Sequence, residues 1–492
     1  LDDHRAGSDA RSRSLVRQGT SEAFAVVCGQ PVQGLHLACA AGGVSASAVE
    51  AADLVVSVLL CRDGGRGQRR DGAAVYRNPV RESGQAVRRS FKFRLRPTCK
   101  QVQALETMLA DHRELYNAAL QERRDAYRKR GITVSYGMQS AQLKDIRKEL
   151  AEQARWSFSS QQATLRRLNL AMQAFFRRVK AGQTPGSPRF KGARWFDTVV
   201  WPSDGDGCRW DSTSDKTATR VYLQGVGHVR VHRHRQVAGT VKTISVKREG
   251  SAWYVVLSCD DVPANPLPPT GNATGIDVGV TEFAALADGT LIGNPGWWKQ
   301  AEDQLTQAQR AHSLRYPKTA PRSARKTRSA QQVAKVHRAL ARKRLDFHHK
   351  LALDLVRGFD TLCHEALNIA GMVRAPKPKP DPDTPGVFLP NQAAAKAGLN
   401  KRILDAAWAQ FLTILAAKAE NAGRLTVAVN ARHSSQTCHE CRYVDPASRN
   451  GIVFRCTRCG YEDHADVNAA RNHLRAGLVL IQAASQDGSP RL

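Results

Sequence analysis

Four cysteines carry the most specific chemistry in the chain. Cys438-x-x-Cys441 and Cys456-x-x-Cys459 are two pairs about fourteen residues apart, the spacing of a four-thiolate zinc site. Each pair can form a tight knuckle whose sulfurs converge on one ion. The intervening VDPASRNGIVFR supplies a Pro, an Asn-Gly turn signal and a short apolar strand, which is what a zinc ribbon needs. The competing reading is two disulfides, or free thiols. A site closed by four sulfurs leaves no position for water, so it is structural and chemistry must come from elsewhere. Three carboxylates are candidates: Asp277 within an apolar run, Glu365 near the end of DTLCHEAL (360–367), and Asp466 at the start of a helical stretch (466–472). An ionised acid in an apolar strand is costly unless a cation sits beside it. Three such groups converging on two Mg²⁺ ions would make a two-metal phosphodiester hydrolase. Spacing alone leaves open three unrelated acids, with Asp466 an ordinary first-turn residue.

The elements that must position these groups fall into two blocks. Residues 1–86 are rich in Ala, Gly, Ser and Arg and read as a disordered or non-native N-terminal extension. Its main apolar run, 54–60, is too short to span a bilayer. From Arg88 to Pro97 basic and apolar residues alternate, the signature of a strand with one basic face. Helical patterning follows over 98–129 and 140–179. Short strands are then expected at 198–201, 220–223, 228–233, 243–247 and 253–258. Together these predict a small β-barrel over 87–263 with a helical insertion at about 98–182. ANPLPPTG begins a linker (264–274). The second block, 275–475, opens with an apolar strand, continues with a basic helical stretch (299–350), and includes a long amphipathic helix (400–421). It contains the ribbon at 434–463. Residues 374–385 are Pro-rich and predict a mobile loop, and 476–492 a flexible tail.

The chain has 492 residues and a net charge of +30. That excess of Lys and Arg points to nucleic acid as partner, since phosphate neutralisation is where such charge is useful. No apolar run suggests a membrane partner. The seven cysteines outside the ribbon are scattered and odd in number, unlike a secreted disulfide framework. Candidate phosphate contacts are Arg94, Arg123, Arg124, Arg166, Arg167, Arg325, Lys326, Arg342 and Arg344. For any one of them a solvated helix face is the bland alternative. As a set they favour nucleic acid.

GIDVGVTEFAALADG (275–289), HEALN (364–368) and CHEC…CTRCGYEDHADVNAARN (438–472) resemble the TnpB (OrfB) proteins of insertion sequences, relatives of the compact type V CRISPR effectors. FKFRLRP (91–97), PRFKG (188–192) and the helix at 399–423 support the resemblance, which covers about residues 88–475. It implies a C-terminal RuvC-like nuclease domain of RNase H fold interrupted by the zinc ribbon. Asp277, Glu365 and Asp466 would be its catalytic carboxylates, binding Mg²⁺, with zinc on the four cysteines. The N-terminal half would be a wedge barrel with a helix-turn-helix-like insertion. The implied activity is RNA-guided cleavage of double-stranded DNA, with a guide RNA from the element's own end. The implied location is cytoplasmic and nucleoid-associated. A nuclease-inactive RNA-guided regulator and a transposase proper are the alternatives. Two departures stand out: Ala366 follows Glu365 where the family usually has Asp, and Arg442 follows Cys441 where Gly is usual. Asp463 lies close to Asp466, but the D-x-N-A-A pattern selects Asp466.

Overall fold

The computed structural model of the chain describes residues 86–211, 219–316, 321, 323–384 and 386–486. The expected N-terminal extension, Ala86 apart, lies outside the described residues, as do 487–492 of the expected tail. The described residues from 88 on form two compact units, one over 88–262 and one over 263–486.

In the first unit the alternation in sequence becomes β1 (Ala86–Arg96). Val87, Phe91, Phe93 and Leu95 point inward while Arg88, Lys92, Arg94 and Arg96 are exposed. Thr98 then starts α1 (Cys99–Arg130) through a capping box: Gln101 N–H donates to Thr98 Oγ1 and Thr98 N–H donates to Gln101 Oε1. Gly131 ends it at φ 66°. The helical stretch expected as one piece is broken into α2 (Tyr136–Glu149), α3 (Ala151–Ala154) and α4 (Phe158–Lys180). The breaks fall at Leu150, which is extended, and at Ser157, which caps α4. Trp156 is buried at this corner, its indole N–H donating to Asp111 Oδ2 at 2.7 Å. The remaining strands are β2 (Thr198–Trp201), β3 (Cys208–Asp211), β4 (Arg220–Leu223), β5 (Gly227–His232), β6 (Thr240–Glu249) and β7 (Ala252–Pro263). Their order is β2-β6-β7-β1-β5-β4-β3, and edge strand β3 comes back against β6, so the sheet is nearly closed into a barrel.

The second unit is built on β8 (Ala273–Val278), β9 (Glu282–Leu286), β10 (Leu291–Gly293), then α5 (Trp297–Arg315) and α6 (Ala324–Gly358), then β11 (Thr361–Glu365) and the short α7 (Ile369–Met372). The Pro-rich stretch expected as a loop contributes β12 (Lys379–Pro380), paired with β13 (Phe388–Leu389). The helix expected at 400–421 is two, α8 (Ala393–Ala406) and α9 (Trp408–Ala422), with Ala407 between them at φ 49°. β14 (Leu425–Val429) follows, then the ribbon strands β15 (Arg449–Asn450), β16 (Val453–Arg455) and β17 (Glu462–His464). The last helix, α10 (Ala465–Gln486), runs on past residue 475 into the stretch expected as a tail.

The central sheet has the order β10-β9-β8-β11-β14. β8, β11 and β14 are parallel, while β9 and β10 run antiparallel. Parallel strands need cover on both faces. One face packs Ile276, Phe283 and Leu362 against Leu355 of α6 and Phe411 and Leu415 of α9. The other packs Cys363, Val427 and Val429 against Leu474, Leu480 and Ile481 of α10. No helix among the described residues is long and apolar enough to cross a membrane.

Candidate active site

Strand parity brings the first two acids together. Ile276 and Leu362 face the α6/α9 core, so Asp277 and Cys363, of opposite parity, face α10, and Glu365 shares the parity of Cys363. In the β8–β11 register His364 lies opposite Ile276. One step on, Glu365 and Asp277 stand side by side at the carboxyl ends of adjacent parallel strands, where open sheets of this kind bind ligands.

The third acid arrives on a helix laid unusually close to the sheet. A Cβ at Gly275 would lie 1.8 Å from Ala470 O, and one at Gly477 would lie 2.2 Å from Cys363 Sγ. Only glycine at both positions lets α10 touch β8 and β11. Gly279 meets a different neighbour: a Cβ there would lie 2.8 Å from Glu282 O at the start of β9, with Asp466 Oδ2 at an ordinary contact distance of 3.7 Å. Asp466, in the first turn of α10, is thereby brought to the site.

The electrostatics follow from this crowding. Burial raises the proton affinity of Asp277 well above the usual carboxylate range, and the charges of Glu365 and Asp466 raise it further. Burial pushes Glu365 up to about 7. Asp277 nevertheless keeps 15% of its side chain open to solvent, and Asp466 16%. Ligand atoms of Asp277, Glu365 and His473 all lie within 4.8 Å of one another. Asp466 makes a 2.9 Å ion pair with Arg449 of β15, and that guanidinium opposes the rise at Asp277.

Sequence reasoning missed two residues here. Arg449 gave no local signal, because it reaches the carboxylates only when the ribbon folds back. His473 did give one: it lies seven residues after Asp466, two turns along the same helix face. It is buried, with Nδ1 3.1 Å from Ile276 O, and burial lowers its pKa to about 4. The neutral imidazole therefore donates from Nδ1 to the carbonyl just before Asp277. Asp463, by contrast, is tied up. It accepts from Tyr461 Oη at 2.7 Å and pairs with Arg471 at 2.9 Å.

In the ribbon the four cysteine sulfurs lie within 4.8 Å of one another, with Cys438–Cys459 at 3.7 Å and Cys441–Cys456 at 3.5 Å. A tetrahedron with Zn–S of ~2.3 Å has edges of about 3.8 Å. A disulfide needs ~2.05 Å, and all four thiols are free. The two knuckles are built alike: Arg442 N–H donates to Cys438 O and Gly460 N–H to Cys456 O. Arg442 takes the glycine-like conformation at φ 66°, beside 74° for Gly460. Without an ion the thiols share their protons unevenly: although burial opposes it, backbone N–H donation from Cys459 and Arg458 lowers Cys456 to about 6, while burial raises Cys438 to about 12. The donor set fits zinc.

The basic candidates divide. Arg94, Arg166, Arg325 and Arg342 are exposed, and Lys326 is half-buried. Arg124 donates to Pro188 O and lies over Phe190, while Arg167 lies over Phe196. Two candidates are corrected by the structure. Arg123 is buried, donating to Gln139 Oε1 at 2.8 Å and to Asn169 Oδ1. Arg344 is buried in an ion pair with Asp405 at 2.8 Å. Both are buried and turned to internal partners rather than to solvent.

Comparison with known proteins finds relatives along most of the chain. Residues 245–375 match the family model OrfB_IS605, "Probable transposase", 87–131 its companion helix-turn-helix domain, and 408–473 the Cas12f1-like TNB domain. Two relatives carry the name "Putative RNA-guided DNA endonuclease". One, from Streptomyces pristinaespiralis, is 31% identical over 411 residues, covering 82% of this chain and 92% of its own. The other, InsQ of Escherichia coli (strain K12), is 27% identical over 410 residues, covering 82% and 96%. Among solved structures, the Cas12f1–sgRNA–target DNA complex is similar at 14% identity and a TM-score of 0.46, over 79% of this chain and 98% of that one. The chain belongs to the OrfB (TnpB) family.

Proposed function

We propose that the chain is an RNA-guided DNA endonuclease of a transposable element, and that its second unit is a RuvC-like nuclease of RNase H fold. The observation that carries the reading is the gathering of Asp277, Glu365 and Asp466 from two strand ends and a helix start. A buried acid, Asp277, whose proton affinity is raised by burial and by two neighbouring carboxylates calls for a cation. The names of the full-length relatives support the guide RNA and the DNA target. They favour this reading over a transposase proper or a nuclease-inactive regulator. In keeping with the family resemblance, the guide is an RNA from the element's own end.

Oxygen donors that are compact, anionic and backbone-positioned suit Mg²⁺, and Asp277, Glu365 and Asp466 would hold it, as two ions. Such an ion would neutralise phosphate charge and make water a better nucleophile near neutral pH. The chain's own groups do the rest. Adjacent β8 and β11 fix two carboxylates side by side before any ligand arrives, so little reorganisation is needed. His473, as a neutral donor to Ile276 O, holds the backbone that carries Asp277. Arg449, paired with Asp466 at 2.9 Å, would offer a guanidinium to a phosphate oxygen at the site. The four-cysteine ribbon would hold zinc as a structural ion, and it presents both Arg449 and the start of α10.

The test is cleavage of a plasmid bearing a guide-matched target by the purified protein–RNA complex. Asp277→Ala should lose at least about 100-fold in rate while keeping guide-dependent DNA binding, and EDTA should stop the wild type. Asp463→Ala, whose carboxylate serves Arg471 and Tyr461, should remain substantially active. Undiminished cleavage by the Asp277 variant, or cleavage that persists in EDTA, rejects the proposal.

A further inference from the structure

The outer face of the barrel carries an arrangement that its own packing does not require. In the cross-strand registers, Arg220 of β4 lies opposite Arg230 of β5, which lies opposite Arg96 of β1. Asp211 stands opposite Arg220 at the far end of this row. Two residues further along the same strands, Arg94 lies opposite His232. Two residues the other way, Arg209, Tyr222 and His228 lie opposite one another across β3, β4 and β5. Arg94, Arg96, Arg220 and Arg230 are exposed, and none forms an ion pair among the described residues. Neighbouring strands stand ~4.8 Å apart, and like charges directly opposite one another are destabilising. Val221, Val229, Val231 and Leu95, one position over, are buried and already supply the inward packing.

The row of Arg209, Tyr222 and His228 adds something an arginine ladder lacks. With Gly205, Gly207 and Cys208 it lines a cavity of about 270 Å³, just under the ~300–1,000 Å³ of sites for drug-sized ligands. The Tyr222 and His228 rings are 5.1 Å apart and tilted by 50°. Gly205 and Gly207 adopt φ of 92° and 74°, and a Cβ at Gly207 would strike Ser157 at 2.3 Å. At these two positions the loop places no side chain in the cavity.

We propose that this face binds a single nucleic-acid strand, with one unstacked base in the cavity against Tyr222 and the adjoining phosphates along Arg220, Arg230 and Arg96. Aromatic platforms beside a cationic track are how single strands are held. Phosphates lying between the facing arginines relieve their repulsion. From the cavity row to Arg94 the track spans two row steps, about 14 Å at ~3.4 Å per residue, enough for a short stretch of backbone. The site uses none of the three carboxylates, and its test does not read cleavage.

The test uses the full-length chain, freed of bound nucleic acid, with short RNA and DNA strands each carrying one 2-aminopurine. Affinity is read by anisotropy across a salt series and base environment by 2-aminopurine fluorescence. Arg220→Gln/Arg230→Gln should flatten the salt slope by about 1.4, at ~0.7 for each single-strand phosphate contact. Tyr222→Ala should leave that slope alone, abolish the 2-aminopurine response and weaken binding roughly 5- to 150-fold. Tyr222→Phe should keep both signals. Lys377→Gln/Lys379→Gln removes the same charge in the second unit and should change neither. The polymer that gives the Tyr222-dependent signal, RNA or DNA, identifies the strand. The proposal fails if the arginine pair leaves the slope unchanged, if the lysine pair has an equal effect, or if neither polymer responds to Tyr222.

Discussion

Glu365 offers a test of the carboxylate site that needs no substrate. Burial lifts its pKa from 4.5 to about 7 in the absence of a cation. A carboxyl whose folded-state pKa is raised contributes stability that is fully present below the unfolded pKa, and loses it as pH climbs through the folded one. At ~1.36 kcal/mol per tenfold change in proton affinity, the metal-free protein should lose ~3 kcal/mol between about pH 4.5 and pH 8 on account of this group. Glu365→Gln keeps the shape and removes the titration, so in EDTA the variant should be the more stable protein at the alkaline end by about that amount. Asp277 titrates in the same direction, through burial and then the charges of Glu365 and Asp466. Some pH dependence therefore survives in the variant, reduced by the loss of one neighbour. The assay is urea unfolding of the full chain in EDTA at both pH values, repeated with Mg²⁺. Mg²⁺ should restore the wild type at alkaline pH and do less for the variant. If both proteins lose stability in parallel as pH rises, Glu365 is not the strained acid the geometry makes it, and the cation-site reasoning fails with it.

Other outcomes are as specific. Purified protein should contain about one zinc per chain, and Cys456→Ser/Cys459→Ser should contain none; full retention of zinc in that variant, read by elemental analysis, rejects the ribbon assignment. Arg442→Gly removes a side chain from a left-handed position at φ 66°, a conformation costing roughly 1–2 kcal/mol outside glycine. The variant should hold zinc more tightly in a chelator competition, and weaker retention would show that the Arg442 side chain has a role of its own. Gly275→Ala forces a methyl to within 1.8 Å of Ala470 O and should cost ~1–3 kcal/mol or more together with most of the cleavage activity. A variant of wild-type stability and rate would mean that α10 does not lie where it is described.

Much of the site could be read in advance because it rests on short-range patterns. Asp277 interrupts an apolar strand, Glu365 ends one, and Asp466 opens a helix beside a cysteine knuckle. Period-two parity then decides which face each strand acid takes. What escaped prediction depends on contacts distant in sequence. Arg449 enters the site only through the ribbon's fold. Arg123 and Arg344 look like their exposed neighbours, because the partners that draw them inward, Asn169 and Asp405, lie 46 and 61 residues away. The break at Ala407 sits in an alanine-rich run without Gly or Pro, so propensity favours continuing the helix and tertiary packing overrides it. Strand β3, Cys208–Asp211, follows directly on the Gly- and Asp-rich run SDGDG (203–207), whose turn chemistry masks the strand behind it.

The contact of α10 with the sheet has a mechanical consequence. Most helices ride on a layer of side chains that can rotate, slide or repack to absorb a small error. Here, at Gly275, backbone meets backbone, and that compliant layer is missing. Asp277 and Asp466 are therefore held at a distance set by peptide geometry, as two points on one rigid truss. Such a joint does not degrade gradually. Small changes elsewhere in the unit leave the spacing untouched, whereas one added methyl at the joint moves both acids at once. Tolerance to substitution along 275–279 should be a step rather than a slope.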